Sequence, residues 1–221
     1  MATRRPTDVY LEVGSKRTFA CAVAWPGWIR SGKGEEEALE ALAESEARYA
    51  AVAKDGGLPF SPGALTVVER VSGNATTDFG APGVVAECDK GPLAKGEAAR
   101  LVALLGAAWR ALDDVAKASP ALLRKGPKGG GRDRDEVVLH VVAAEPSYAR
   151  KIGVRLSAPD PKDAKAVSTF RHAILCAIES TDEIPLGPRG GQVWPRRYAA
   201  RRIAWHVLDH AWEIEDRSGS N

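Results

Sequence analysis

From residue 94 onward the chain places apolar side chains at three- and four-residue intervals, a spacing that one face can bury only if the backbone is helical. Leu101, Leu104, Leu105, Ala108, Leu112 and Val115 form the first stripe and predict a helix from about Ala94 to near Pro120. A second helix is predicted to begin near Asp133 or Asp135. It carries Val137, Val138, Val141 and Val142, should kink or restart at Pro146, and ends by Gly153. Val167, Phe170, Ile174 and Ile178 mark a third, and a fourth starts around Pro195, a residue suited to a first helical turn, and runs to Arg217. Four such stripes bury best against one another, as a bundle.

The first ninety residues have a different texture. Val9 to Val13 and Thr18 to Ala24 are short apolar or alternating runs around the turn-prone Gly14-Ser15-Lys16, a β-hairpin pattern closed by Trp25-Pro26-Gly27-Trp28. Glu35, Glu36 and Glu37 place negative charge in the first turn of a helix predicted to reach about Lys54, before Gly56-Gly57. Leu65 to Val71 reads as a strand, and Gly73 to Asp89 as loop or irregular strand. The expected fold class is α+β, with a small α+β domain over 1–90 and a four-helix bundle over 91–221.

Thirty-one basic residues against 29 acidic leave a net charge of +2, which predicts no general attraction to nucleic acid or anionic lipid. No run of eighteen apolar residues occurs, and the first ten residues are polar, so neither a membrane span nor an export signal is expected. Cys21, Cys88 and Cys176 are widely spaced and show no CxxC pairing. They predict a reducing, cytoplasmic setting and thiols packed as small buried hydrophobes.

Two of the four histidines stand in Trp205-His206-Val207-Leu208-Asp209-His210, where a separation of four puts both imidazoles on one helical face. His140 lies among valines on the second helix, where an imidazole without a partner would be costly. Three neutral imidazoles converging in a bundle make a first shell for a divalent transition ion and leave positions open to water or substrate. On a helical projection Arg202, His206, Asp209, His210, Glu213 and Arg217 share one side of the last helix. Tyr198, Trp205, Leu208 and Trp212 lie elsewhere and read as packing. Glu213 is a candidate fourth ligand, orienter or general base, and Arg202 a candidate grip for a substrate carboxylate or sulfonate. The competing reading of this face is a solvated surface whose carboxylates pair with arginines. His172 falls opposite the stripe of the third helix and is expected to face water.

Arg124 to Arg134 sets five basic residues and four glycines before a helix start. Such a loop can cradle an anion, with Lys128 and Arg132 as the candidate contacts, or can be a solvated linker. It lacks the spacing of a nucleotide-binding loop. Trp194 to Arg202 interleaves basic and aromatic residues, but Arg201 and Arg202 turn to different sides and four carboxylates follow, which argues against a nucleic-acid surface.

A first helix, a Gly-rich loop, a second helix with one histidine and a last helix with HxxxH together resemble the DinB/YfiT superfamily of metalloenzymes, over roughly residues 94 to 217. The resemblance implies a four-helix bundle whose three histidine ligands map onto His140, His206 and His210. It implies zinc, nickel or iron as the ion, with a low-molecular-weight thiol as a candidate second cofactor. It places thiol-dependent transfer or isomerisation ahead of hydrolysis. The isomerase pattern, with a glutamate in place of one paired imidazole, is not met. Residues 8 to 71, with two strands, a Pro-Gly turn and the Glu36-Glu37-Ala38-Leu39 helix start, resemble the small HicB-like antitoxin domain. That likeness implies a short strand after the turn and binding to a partner protein or oligomerisation; in this chain the unit is expected to lid the bundle or build a homodimer. The function expected is thus a divalent-metal enzyme acting on a small anionic molecule, the alternative being a non-catalytic binding protein with a structural metal or none.

Overall fold

The computed structural model describes residues 4–126, 129–184 and 192–219. Strands β1 (Thr7–Val13), β2 (Thr18–Ala22), β3 (Ile29–Gly32) and β4 (Leu65–Ser72) form one sheet in the order β3-β2-β1-β4. β1 pairs antiparallel with β2 and parallel with β4, and β2 pairs antiparallel with β3. The mixed topology follows from the helices α1 (Glu35–Glu44) and α2 (Glu46–Asp55), which carry the chain across from the β3 edge to β4. A short helix α3 (Ala75–Phe79) and a single turn at Glu87–Asp89 then lead to four long helices, α4 (Lys95–Ala118), α5 (Arg134–Lys151), α6 (Ala164–Glu179) and α7 (Arg196–Ser218).

β1 and β2 are covered on both faces, which is why they are apolar almost throughout. Val9, Leu11, Ala20 and Ala22 join Leu42 of α1, Leu104 of α4 and Leu208 of α7 in one hydrophobic cluster that spans both halves of the chain. Tyr10, Phe19, Cys21 and Ile29 face the other way, against Ala86 and Trp205. Gly27 makes the close approach to α7 possible. Its φ is +89°, and an added Cβ would come within 2.8 Å of Leu208.

The helix predicted over 35–54 is two helices. The Ser45 hydroxyl donates to the Leu42 carbonyl at 2.7 Å, and the buried Trp28 indole donates to the same carbonyl at 3.1 Å. That carbonyl is one an unbroken helix would offer to residue 46, so the side chains replace the bond and the chain turns. Gly73 to Asp89 is not merely loop, because Asn74 caps α3. Its Oδ1 accepts from the Thr76 and Thr77 amides at 2.8 and 3.3 Å. The segment is too short for any periodicity to reveal. α5 does not restart at Pro146. Glu145, Pro146 and Ala149 are buried, and Glu145 accepts from Trp109 of α4 at 2.9 Å and Arg171 of α6 at 3.0 Å. These packing contacts hold the helix through the roughly 3 kcal/mol that an interior proline costs. His172 is exposed as expected. Of the cysteines only Cys21 is buried; Cys88 is half-buried and Cys176 exposed, the latter because it lies outside the Phe170, Ile174 and Ile178 stripe.

From Tyr198 to Leu208 α7 is enclosed, by α4, α5, α6 and the Glu87–Asp89 turn and by apolar side chains of the sheet, and even Arg201 and Arg202 are 2% and 9% exposed. Beyond Leu208 one face is partly solvated, and there Glu213 pairs with Arg217 as the competing reading expected. Arg201 meets Asp89 at 2.8 Å and donates to the carbonyls of Ala22 and Val23 at 2.7 and 3.1 Å, so it fastens α7 to the end of β2. No described helix is long and apolar enough to cross a membrane.

Arg201→Met should destabilise the fold by about 3–5 kcal/mol in denaturant unfolding, because it strands the buried Asp89 carboxylate. Adding Asp89→Leu should restore a large part of that loss. A double variant no more stable than the single one would contradict this account of the pair.

Candidate metal centre

Helix α7 presents His206 and His210 one turn apart, and α5 packs across it so that His140 meets them. The ring centroids of His140 lie 5.3 Å from His206 and 4.9 Å from His210, and those of His206 and His210 are 4.7 Å apart. One ligand atom from each ring falls within 4.8 Å of the others. Nε2 of His206 is 3.4 Å from Nε2 of His140. That is long for a nitrogen hydrogen bond, typically about 2.9–3.0 Å. It matches two nitrogens on one tetrahedral ion with bonds of about 2.0–2.1 Å, which stand roughly 3.3–3.4 Å apart.

Burial keeps the imidazoles of His206 and His140 neutral, the form that ligates. It pushes the His206 pKa down to about 2, with the charges of His210, Arg202, His140 and Arg132 adding to the effect. His140 is lowered for the same first reason. His210 is held differently, since its Nδ1 lies 2.8 Å from Glu213, which leaves Nε2 as the atom free to ligate. The hydrogen bond to His210 holds the Glu213 carboxyl below its usual range, so Glu213 stays ionised. Its other oxygen accepts from Arg217 at 2.7 Å, and Arg217 donates in turn to the Arg124 carbonyl at 2.8 Å. The Gly-rich loop is thereby tied through Arg217 and Glu213 to a ring of the triad. His206 is buried whereas His140 and His210 are only partly so, and the cluster is open on one side.

The other candidates divide. Arg132 is exposed on the loop, near enough to depress both His140 and His206. Lys128 lies outside the described residues. Asp209 shares the face of the histidines but pairs with Arg30 of β3 at 3.4 Å. Arg202 does not bond to the imidazoles; its guanidinium sits 4.6 Å from the Trp205 ring centroid and 5.2 Å from that of Tyr148. Tyr148 was not singled out by sequence, yet its ring is 5.6 Å from His206 and stacks on Trp194 at 5.7 Å. Its position eight residues after His140, on the same side of α5, is the signal that could have found it. Nothing in the sequence brings Trp194 to it.

Compared with known protein families, curated proteins and solved structures, the chain matches none of them.

A depressed histidine pKa means the unfolded chain takes up a proton that the folded one refuses, so stability is lost as pH falls below about 6.5. In chelator-treated protein, lowering the pH from 6.5 to 5 should remove about 2 kcal/mol for His206 alone. His206→Asn should flatten that slope in urea titrations. An unchanged slope would show that His206 is not the group responsible.

Proposed function

We propose that this chain is a metal-dependent enzyme in which His140, His206 and His210 hold one divalent transition ion, zinc, nickel or iron, for chemistry on a small anionic molecule. The observation that carries this reading is the 3.4 Å approach of two imidazole nitrogens from separate helices, with a third imidazole beside them. When bound, such an ion supplies a Lewis acid that lowers the pKa of a water or small thiol.

The residues around the triad have distinct work. His206 and His140, kept neutral by burial, are ready to ligate without first releasing a proton. Glu213 fixes the ring of His210 and, being ionised, is a carboxylate in contact with the triad that can serve as a base. Arg132 puts positive charge by the triad, which favours anionic substrates. The partial exposure of His140 and His210 favours an open, reactive site over a closed structural one. The likeness of residues 94–217 to the DinB/YfiT superfamily favours thiol-dependent transfer or isomerisation over hydrolysis, with a bundle of that type. The likeness of residues 8–71 to HicB-like domains favours binding to a partner protein or oligomerisation through that unit.

Purified protein should carry one equivalent of transition metal by elemental analysis, and His206→Ala and His210→Ala should each lose it while keeping their helical circular dichroism. Metal content unchanged in both variants would refute the site. Glu213→Gln should retain the ion with about 10- to 100-fold weaker affinity, because the hydrogen bond that orients His210 loses its charge. Competition against a chromophoric chelator reads that change.

A further inference from the structure

A cleft of about 510 Å³ lies beside the triad, one turn of α7 away from His206. One wall is the segment from Asn74 to Val85, which follows β4, and the other is Tyr148 of α5 with Trp194, Tyr198 and Arg202. Two polar side chains on the second wall are more than nine-tenths buried and lack partners. Arg202, 9% exposed, makes no hydrogen bond or ion pair with any described residue, and its Nη1 is buried without an acceptor. The hydroxyl of Tyr198, a residue 3% exposed, meets no partner among the described residues either. The neighbouring buried carboxylate, Glu12, feels the charge of Arg202 but is not hydrogen-bonded to it; its oxygens accept from Thr77 and from the amides of Gly83 and Val84 at 2.8 and 3.1 Å.

Among the described residues the buried guanidinium of Arg202 meets the faces of Tyr148 and Trp205 and feels the charge of Glu12 without a hydrogen bond or ion pair to it. Its Nη1 thus stays unpaired, which is costly unless an anion completes it. The rings of Tyr148, Trp194 and Tyr198 meet in sequence, at 5.7 and 5.0 Å between centroids, and form an aromatic wall beside that charge. The volume suits a small organic molecule, since such sites run about 300–1,000 Å³. We propose that this cleft binds an organic acid, its carboxylate on Arg202 and Tyr198 and its flat, unsaturated body against Tyr148 and Trp194. The sheet-bearing half would then build one wall of the substrate site. The assignment names the substrate class of the imidazole centre and rests on that centre for its reaction, but not for binding.

The test is calorimetric titration of the full chain with 2-naphthoate and with its uncharged counterpart 2-naphthamide, in metal-loaded and chelator-treated protein. Naphthoate should bind both forms, and naphthamide about tenfold to a hundredfold more weakly, the scale of a charge-assisted hydrogen bond. Arg202→Met, which keeps the packing stem, should bring naphthoate down to the amide's affinity. Val84→Trp should fill the cleft from the opposite wall and abolish binding, and it decides the matter if Arg202→Met fails to fold. Equal binding of acid and amide, no binding of naphthoate, or naphthoate affinity that Arg202→Met leaves unchanged or chelation abolishes would each overturn the proposal. Arg202-dependent binding in protein that takes up no metal would leave the cleft standing and remove the imidazole centre. Metal uptake without naphthoate binding would do the reverse.

Discussion

A helix segment enclosed by its neighbours must find a partner for each polar group it carries, and α7 from Tyr198 to Leu208 is such a segment. Its long polar side chains sort by how that demand is met. Arg201 is answered by Asp89 and two strand carbonyls, and this fastens the sheet to the helices. His210 is answered by Glu213. Among the described residues His206 meets another imidazole, and Arg202 meets aromatic faces and the charge of Glu12 without a hydrogen bond. The first two interactions explain how the fold holds together. The last two are where the proposed cation and anion would sit.

The two incomplete groups are one helical turn apart, which links the packing to the proposed chemistry. The enclosure that keeps His206 neutral also leaves Nη1 of Arg202 without an acceptor. The cover on that side of α7 comes partly from the Asn74–Val85 segment, so the sheet-bearing half shapes the site as well as the core. On the far side, Glu213 and Arg217 carry the same site out to the Gly-rich loop. A triad on an exposed helix would have had neither the depressed basicity nor the fixed ring orientation.

Much of this was legible in the residues. The stripes of α4, α5 and α6 and the proline start of α7 appear at or near their expected positions because amphipathic periodicity over many turns outweighs local exceptions. The pairing of His206 with His210 follows from spacing alone. Their meeting with His140 does not, because it depends on how α5 crosses α7; the valines around His140 signalled that it needs a partner, and the resemblance supplied which one. The break at Ser45 and the continuity through Pro146 were illegible for a shared reason. Each is decided by a distant tryptophan or arginine, Trp28 in the one case and Trp109 with Arg171 in the other. The burial of Arg201 was hidden likewise, since its partner lies 112 positions away.

The central claim is that three imidazoles share one cation. Anomalous diffraction from crystals of the native protein, collected across the iron, nickel and zinc absorption edges, tests it most directly. The account predicts a single peak at roughly 2.0–2.2 Å from nitrogens of His140, His206 and His210. Density showing His140 hydrogen-bonded directly to His206, with no scatterer among the three rings after metal loading, would contradict it.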